Sequence, residues 1–224
     1  MTELLEKLGL PYKDRSLYET ALTHSSYAYE NHTEKNERLE FLGDAVLGLL
    51  MTDYLYREAL TDEGVMSKKK AKAVSEGALV LYADMIGLKE HLRLGKGEAL
   101  KGANDAMIAD AFEALLGAIY LDLGFAWVKR VFQAVIVPNL AHALEIRDYK
   151  STLQEYIHSG DKRNISYHLV HESGPSHDKI FEVVVKLDRT ITLGHGIGRT
   201  KKEAEQRAAR DALAKGNYDS KDAL

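Results

Sequence analysis

Glu37-Arg-Leu-Glu-Phe-Leu-Gly-Asp-Ala45 is the stretch on which the reading of this 224-residue chain turns. Apolar residues continue at Val46, Leu47, Leu49, Leu50 and Leu55, which predicts one long helix from about Glu34 to Ala59. At about 100° of rotation per residue, Glu37, Glu40 and Asp44 fall within roughly 60° of one another. They form one acidic stripe beside Leu39, Phe41, Leu42 and Val46. Taken alone, that stripe has two readings. It is a set of solvent-facing acids near a helix N-terminus, where the macrodipole favours negative charge, or a cluster of hard oxygen ligands for a divalent metal.

A second helix bears on the choice. Asn104 or Asp105 opens a strongly periodic segment with Met107, Ile108, Phe112, Leu115, Leu116, Ile119 and Tyr120, stopping near Gly124. Asp110 and Glu113 sit in it at i and i+3, among Ile108, Ala111, Phe112, Ala114 and Leu115. A carboxylate amid so much apolar surface is costly unless it is paired or metal-bound. Two such helices, each apolar enough to lie in a core, are expected to face each other. Two charges about 4 Å apart repel by about 4 kcal/mol at an effective dielectric of about 20. The acids therefore either hold protons or share a cation. Oxygen-only ligation, with no Cys in the chain, favours Mg²⁺ or Mn²⁺ over Zn²⁺. A di-iron bundle would supply Glu-x-x-His pairs, and neither helix has one. Metal-assisted phosphodiester hydrolysis fits this donor set. Gly43, Gly48 and Gly117 lie inside the same helices; each costs about 1 kcal/mol relative to Ala, which points to close helix–helix approach.

The whole chain sets the bounds. A formal net charge of −4 and a sequence pI near 6.1 announce no global basicity. Without Cys there is no disulfide scaffold, Cys-based zinc site or Cys nucleophile. No apolar run reaches membrane-spanning length, and the N-terminus lacks the apolar region of a secretory signal. A soluble, cytoplasmic protein with no membrane partner is the expectation.

Up to Leu144 the patterns are helical. Short segments cover Glu3–Leu8 and Ser16–Leu22, with Ser16 as N-cap. A Ser67-capped helix runs to about Ile86 and ends at Gly87; Gly95-Lys-Gly97 marks a loop; a last helix starts at Ala126 and is kinked or split by Pro138. From Asp148 the period changes. A helix at Tyr149–His158 precedes three period-two segments, Ile165-Tyr167-Leu169, Phe181-Val183-Val185-Leu187 and Ile191-Leu193-(His195)-Ile197. Gly174-Pro175 turns between the first two, and Thr200 caps an Ala-rich helix to about Lys215. The expected fold is an all-α domain over 1–144 followed by a small α+β domain, α-β-β-β-α, over 148–216. Residues 217–224 read as a flexible tail. From Glu145 onward there are 14 basic and 13 acidic residues, against 16 and 21 before it. The acidity belongs to the helical domain.

In the small domain, Arg199, Thr200, Lys201 and Lys202 gather at the start of the last helix, where exposed amides and basic side chains make a phosphate-binding corner. Thr152, Gln154 and Glu155 share a face of the first helix, and Gly174-Pro-Ser-His177 forms a loop. Three such spots suit double-stranded RNA, read across two minor grooves and the phosphates between them. His168, His171 and His195 read as strand or surface residues. Lys68–Lys72, with four lysines, is either a solvated face or a holder of RNA backbone.

The residues now carry a resemblance. Glu37–Ala45, paired with Asp110-Ala-Phe-Glu113-Ala-Leu-Leu-Gly-Ala-Ile-Tyr, is similar to the signature of the ribonuclease III family; Ala21-Leu-Thr-His-Ser-Ser-Tyr27 and Glu63-Gly64 fall where that family has comparable segments. Tyr149–Glu155, Gly174–His177 and Thr200–Gln206 resemble a double-stranded-RNA-binding domain. The resemblance implies a homodimeric, Mg²⁺-dependent endonuclease that hydrolyses double-stranded RNA to 5′-phosphate and 3′-hydroxyl ends with short 3′ overhangs, acting on rRNA precursors and mRNAs. It implies Glu40, Asp44, Asp110 and Glu113 as metal ligands, with Asp44 and Glu113 central to catalysis and Glu37 a supporting acid. It places Phe41 in the dimer interface, Gln154 and His177 on the minor groove, and Lys201 and Lys202 on phosphates. Lys69 and Lys70 stand where the family often has Leu and Arg, and Glu205 where many such domains have a third Lys. The competing reading, a protein that holds double-stranded RNA without cutting it, would have lost the acids, and all four are present.

Overall fold

The computed structural model describes residues 1–58, 62–146, 148–160, 163–175 and 179–216. The chain divides into two compact units, Met1–Ile146 and Arg147–Leu224. His177 and the 217–224 tail lie outside the described residues.

The first unit is helical. In chain order its helices are α1 (Thr2–Lys7), α2 (Arg15–Ala21), α3 (Ser25–Asn31), α4 (Glu37–Glu58), α5 (Glu63–Ala73), α6 (Glu76–Ile86), α7 (Lys96–Lys101), α8 (Asp105–Leu123), α9 (Phe125–Val131) and α10 (Val137–Glu145). α8 is the axis. Phe112, Leu115, Leu116 and Ile119 are fully buried in it, and each such side chain contributes about 1.5–3 kcal/mol of burial. α4, α6 and α2 pack around it, with α4 making the broadest contact. Asn104 caps α8, its side chain accepting the Met107 N–H at 3.0 Å, and Gly124 ends it with a φ of +86°. Among the described residues no helix is long and apolar enough to cross a membrane.

Several local expectations change. Asp14, not Ser16, caps α2, accepting the Ser16 N–H at 2.9 Å. The segment from Ser67 to Ile86 is two helices: Asp62 caps α5, Ser75 caps α6, and the chain breaks at Val74. A second Ser with free amides behind it offers that break a cap. α7 begins at Lys96, inside the expected Gly95–Gly97 loop, and α4 starts at Glu37 rather than Glu34. Pro138 acts as expected. The turns before it, Phe132–Ile136, widen into a π-helical segment, and the Val135 carbonyl accepts from the Asn139 side chain at 2.8 Å.

Gly43 and Gly117 explain the α4–α8 approach. A Cβ on Gly43 would stand 1.8 Å from the Glu113 carbonyl oxygen, and one on Gly117 would stand 2.3 Å from that of Leu39. Gly48 differs from its two companions: it faces the end of the Lys70 side chain, 3.8 Å away, and no helix backbone.

The second unit runs α11 (Tyr149–Gly160), β1 (Ile165–Ser173), β2 (Ile180–Leu187), β3 (Ile191–Gly198) and α12 (Lys201–Lys215). The sheet is antiparallel in the order β1-β2-β3, with Val183 opposite Leu169 and Gly196. Leu153 and Ile157 of α11, Val183, Val185 and Leu187 of β2, and Ala204, Ala208, Ala209, Ala212 and Leu213 of α12 form its core. β3 departs from expectation. Ile191 and Ile197 are exposed, while Gly194, Gly196 and Gly198 face the helix. A Cβ on Gly196 would lie 2.2 Å from the Ala204 carbonyl oxygen, so α12 sits directly on the strand backbone.

The α4–α8 crossing leaves no room for a methyl group. Gly43→Ala is expected to destabilise the first unit by about 1–3 kcal/mol, read as a lower urea midpoint; an unchanged midpoint would contradict so close an approach.

Candidate active site and nucleic-acid interface

The acids of the two stripes flank the glycine crossing. Glu40 and Asp44 lie three residues before and one after Gly43 on α4; Asp110 and Glu113 lie seven and four before Gly117 on α8. Glu40, Asp110 and Glu113 are partly buried, and Asp44 is exposed beside them. Their fields overlap. Burial first, then Asp44, Glu40 and Asp110, push the Glu113 carboxyl up from its ordinary 4.5 to about 8. Glu40 is raised by burial, then by Asp110, Glu37 and Asp44. Asp110 is raised by burial and by Glu76, with His24 opposing. These are carboxylates crowded into a half-dry pocket with too little positive charge to balance them.

Glu37 stands apart. It is exposed and pairs with Lys35 at 2.6 Å, while still contributing to the field at Glu40 and Asp110. Among the described residues no three His, Cys, Asp or Glu side chains are placed to hold one metal ion as they stand. The donor chemistry nonetheless fits a hard divalent cation, being oxygen throughout, and a cation relieves the repulsion that raises Glu40, Asp110 and Glu113. Binding would draw the carboxylates inward.

Two further residues reach this site. His24 and Glu76 both act on Asp110. The His24 loop is tied beside the α4 N-terminus by the Asn36 N–H to the Thr23 carbonyl at 3.0 Å and the His24 N–H to the Arg93 carbonyl at 3.1 Å. The Thr23–Tyr27 segment is the sequence signal for His24. Glu76 is at the first position of α6, and nothing in its sequence surroundings distinguishes it from an ordinary helix-start acid.

The outer face of α4 is unusual in another way. Phe41 is 81% exposed, and Ala45, Leu49, Thr52 and Tyr56 continue an exposed stripe along the same helix. The stripe is contiguous along the helix, with Phe41, Leu49 and Tyr56 as its large apolar side chains. Lys70, half-buried on α5, borders this stripe together with Asp44, Gly48 and Val74.

In the second unit the expected contacts occupy two elements. Gln154 lies on α11, its amide 2.9 Å from the His158 ring, in a shallow groove with Lys150, Ser151, Glu155 and Tyr167. Lys201 and Lys202 are exposed on the first turn of α12. A reciprocal cap fixes that turn: Thr200 Oγ1 accepts the Glu203 N–H at 3.1 Å, and Glu203 accepts the Arg199 N–H at 2.7 Å. The Lys201 ammonium stands 5.7 Å from the Phe181 ring centre. Acids touch cations on this side as well: Glu172 pairs with Lys179, Glu205 with Lys150 and Glu203 with Arg207.

Comparison with known proteins agrees with both units. The Ribonuclease-III-like family model matches residues 14–140 and the double-stranded RNA binding motif matches residues 149–215. Ribonuclease 3 of Onion yellows phytoplasma (strain OY-M) is 51% identical over 215 residues, spanning 95% of this chain and 90% of that protein. Ribonuclease 3 of Staphylococcus aureus (strain Mu3) is 41% identical over 216 residues, 93% of this chain and 88% of that one. The nuclease domain of ribonuclease III from Campylobacter jejuni, solved in work on flexibility in a region involved in dimer formation, superposes with a TM-score of 0.57 at 36% identity, covering 61% of this chain and 96% of that domain.

The raised acids set a pH dependence. Because folding lifts the Glu113 pKa from 4.5 to about 8, the folded state binds more protons between those values. The stabilisation is therefore complete below about pH 4.5 and is lost as pH rises through about 8. In metal-free protein the melting temperature should fall across that window, and Glu113→Gln should flatten the fall. Identical slopes for the two proteins would overturn the assignment.

Proposed function

The chain belongs to the ribonuclease III family and is an endoribonuclease of double-stranded RNA, and on that footing we propose that Glu40, Asp44, Asp110 and Glu113 form its catalytic centre. The observation that carries the proposal is the backbone crossing of α4 and α8 at Gly43 and Gly117, which sets two acidic stripes against each other. The family is metal-dependent; here the ion is Mg²⁺, with Mn²⁺ able to substitute, because the donors are carboxylate oxygens. When bound, such an ion activates water and stabilises charge on the transferring phosphoryl group.

The protein's own part is positional. Asp44 and Glu113 come from different helices, α4 and α8, on the two sides of the glycine crossing. Glu40 and Asp110 complete the oxygen set, and Glu37, paired to Lys35, adjusts the field from the rim. With no cation present, the high pKa of Glu113 keeps its carboxyl protonated near neutral pH, and the site ionises fully only in company with positive charge. Water attacks in line and the 3′ oxygen departs, leaving 5′-phosphate and 3′-hydroxyl ends.

The exposed Phe41–Tyr56 stripe of α4 suits a second copy of this chain. A homodimer cuts both strands of a duplex and leaves short 3′ overhangs. Residues 1–144 form the nuclease domain. Residues 148–216 hold the duplex, Gln154 and the His177 loop on minor grooves and Lys201 and Lys202 on phosphates. Structured rRNA precursors and mRNAs in the cytoplasm are the matching substrates.

Incubation with a long, perfect RNA duplex and Mg²⁺ should yield short duplexes of regular size. Glu113→Gln should slow this by about two to three orders of magnitude while leaving duplex binding without metal intact; cleavage at the parent rate would sink the site assignment. Phe41→Glu is expected to halve the mass seen by sedimentation. A dimer that survives the substitution would place the interface elsewhere.

A further inference from the structure

We propose that Glu205 is an affinity-limiting residue that holds Lys150 and so withholds one positive charge from the RNA-facing surface; the inference rests on the assignment of α11 and α12 to that surface.

Lys150 and Gln154 are four residues apart on α11 and line the same groove. Lys201 and Glu205 are likewise four apart at the start of α12, and residues at that spacing share a helix face. The Lys150 Nζ lies 2.5 Å from Glu205 Oε2, so the pair joins the two faces between Gln154 and Lys201. Its geometry is built in advance. The Lys150 ammonium also lies 4.7 Å from the centre of the Tyr167 ring. Beside it, Gln206 donates to Asp148 Oδ1 at 2.8 Å and accepts the Lys150 N–H at 3.3 Å, stapling α11 to α12. Both partners of the ion pair are partly buried.

A phosphate that reaches Lys150 must displace a carboxylate. If it succeeds, Glu205 takes up a cation from solution, and the usual gain from counterion release is cancelled. If it fails, the pair presents no net charge. Either way the centre of the surface adds little to the binding that any polyanion enjoys. Recognition then leans on groove contacts that read the shape and 2′-hydroxyls of an A-form duplex. Glu205 thereby lowers raw affinity for any duplex and leaves the groove contacts to carry a larger share of it.

The test is a salt series of fluorescence anisotropy titrations on the full chain in EDTA, with a labelled RNA duplex and a DNA duplex of the same sequence. Glu205→Gln keeps the side-chain shape and removes only the charge. It should tighten RNA binding roughly three- to tenfold near 0.1 M salt and steepen log K against log salt by about one. DNA binding should gain by a similar factor and steepen likewise, since the freed charge acts on any phosphate backbone. In a Lys150→Met background the same substitution should give a smaller gain, since it then relieves only the repulsion of a carboxylate and frees no lysine. Unchanged affinity and slope, a gain of equal size without Lys150, or a gain confined to RNA would each overturn the proposal. Lys201→Ala with Lys202→Ala, measured alongside, should flatten the slope. If it does not, the RNA-facing assignment fails and takes this inference with it; if it does while Glu205→Gln changes nothing, only the role of Glu205 is lost.

Discussion

The approach of two helix backbones at Gly43 and Gly117 is the constraint on which the nuclease unit depends. With no side chain between them, the Glu113 and Leu39 carbonyls sit where a Cβ would otherwise be. That closeness brings the acids on either side of the crossing into one field and keeps three of them partly out of water. It is a costly arrangement, since Glu40, Asp110 and Glu113 all hold their protons more tightly than free carboxyls. The surrounding core supports that cost, because every residue of α8 from Met107 to Ile119 other than Asp110 and Glu113 is buried. Active sites are commonly destabilised in this manner and maintained by the rest of the fold.

Much of this was legible in the sequence because two independent periodicities agreed. Acids at i, i+3 and i+7 on one helix, acids at i and i+3 on another, and glycines inside both are consistent only with close packing of acidic faces. Gly48 shows the limit of that logic. It shares the helix and the residue type with Gly43, yet it faces Lys70, a fact set by where α5 packs. The same limit hid His24 and Glu76. Each reaches Asp110 from a different element; the Thr23–Tyr27 segment marks His24 without showing which acid it meets, and Glu76 has no local pattern at all. The division of α5 from α6 was missed for a related reason. Ser67 and Ser75 are equally good caps by residue type, and only the packed structure selects Ser75.

β3 reversed the usual inference from hydrophobic alternation. Ile191 and Ile197 alternate as a buried face should, but glycines occupy the positions between and point at α12. Small residues on both partners, Gly194, Gly196 and Gly198 against Ala204, Ala208 and Ala212, permit contact of helix backbone with strand backbone. Apolar alternation measures what a residue would gain by burial; here the nearness of α12 matters more. The seating has a consequence at the surface, because the first turn of α12 carries Lys201 and Lys202 and its second carries Glu205. Both units thus use glycine against backbone to fix the place of charged residues.

The two units differ in what they do with that charge. In the first, like charges are forced together and left short of counter-charge, so the carboxyls hold their protons or, in the proposed catalytic centre, share a cation. In the second, opposite charges are matched within the protein, Lys150 with Glu205 and Lys179 with Glu172, which mutes attraction to any polyanion. A chain with a net charge of −4 gains little long-range attraction for nucleic acid. Its affinity must come from a few local cations and from shape. Matching some of those cations internally moves the balance further toward shape: the groove contacts then carry a larger share of a smaller total affinity.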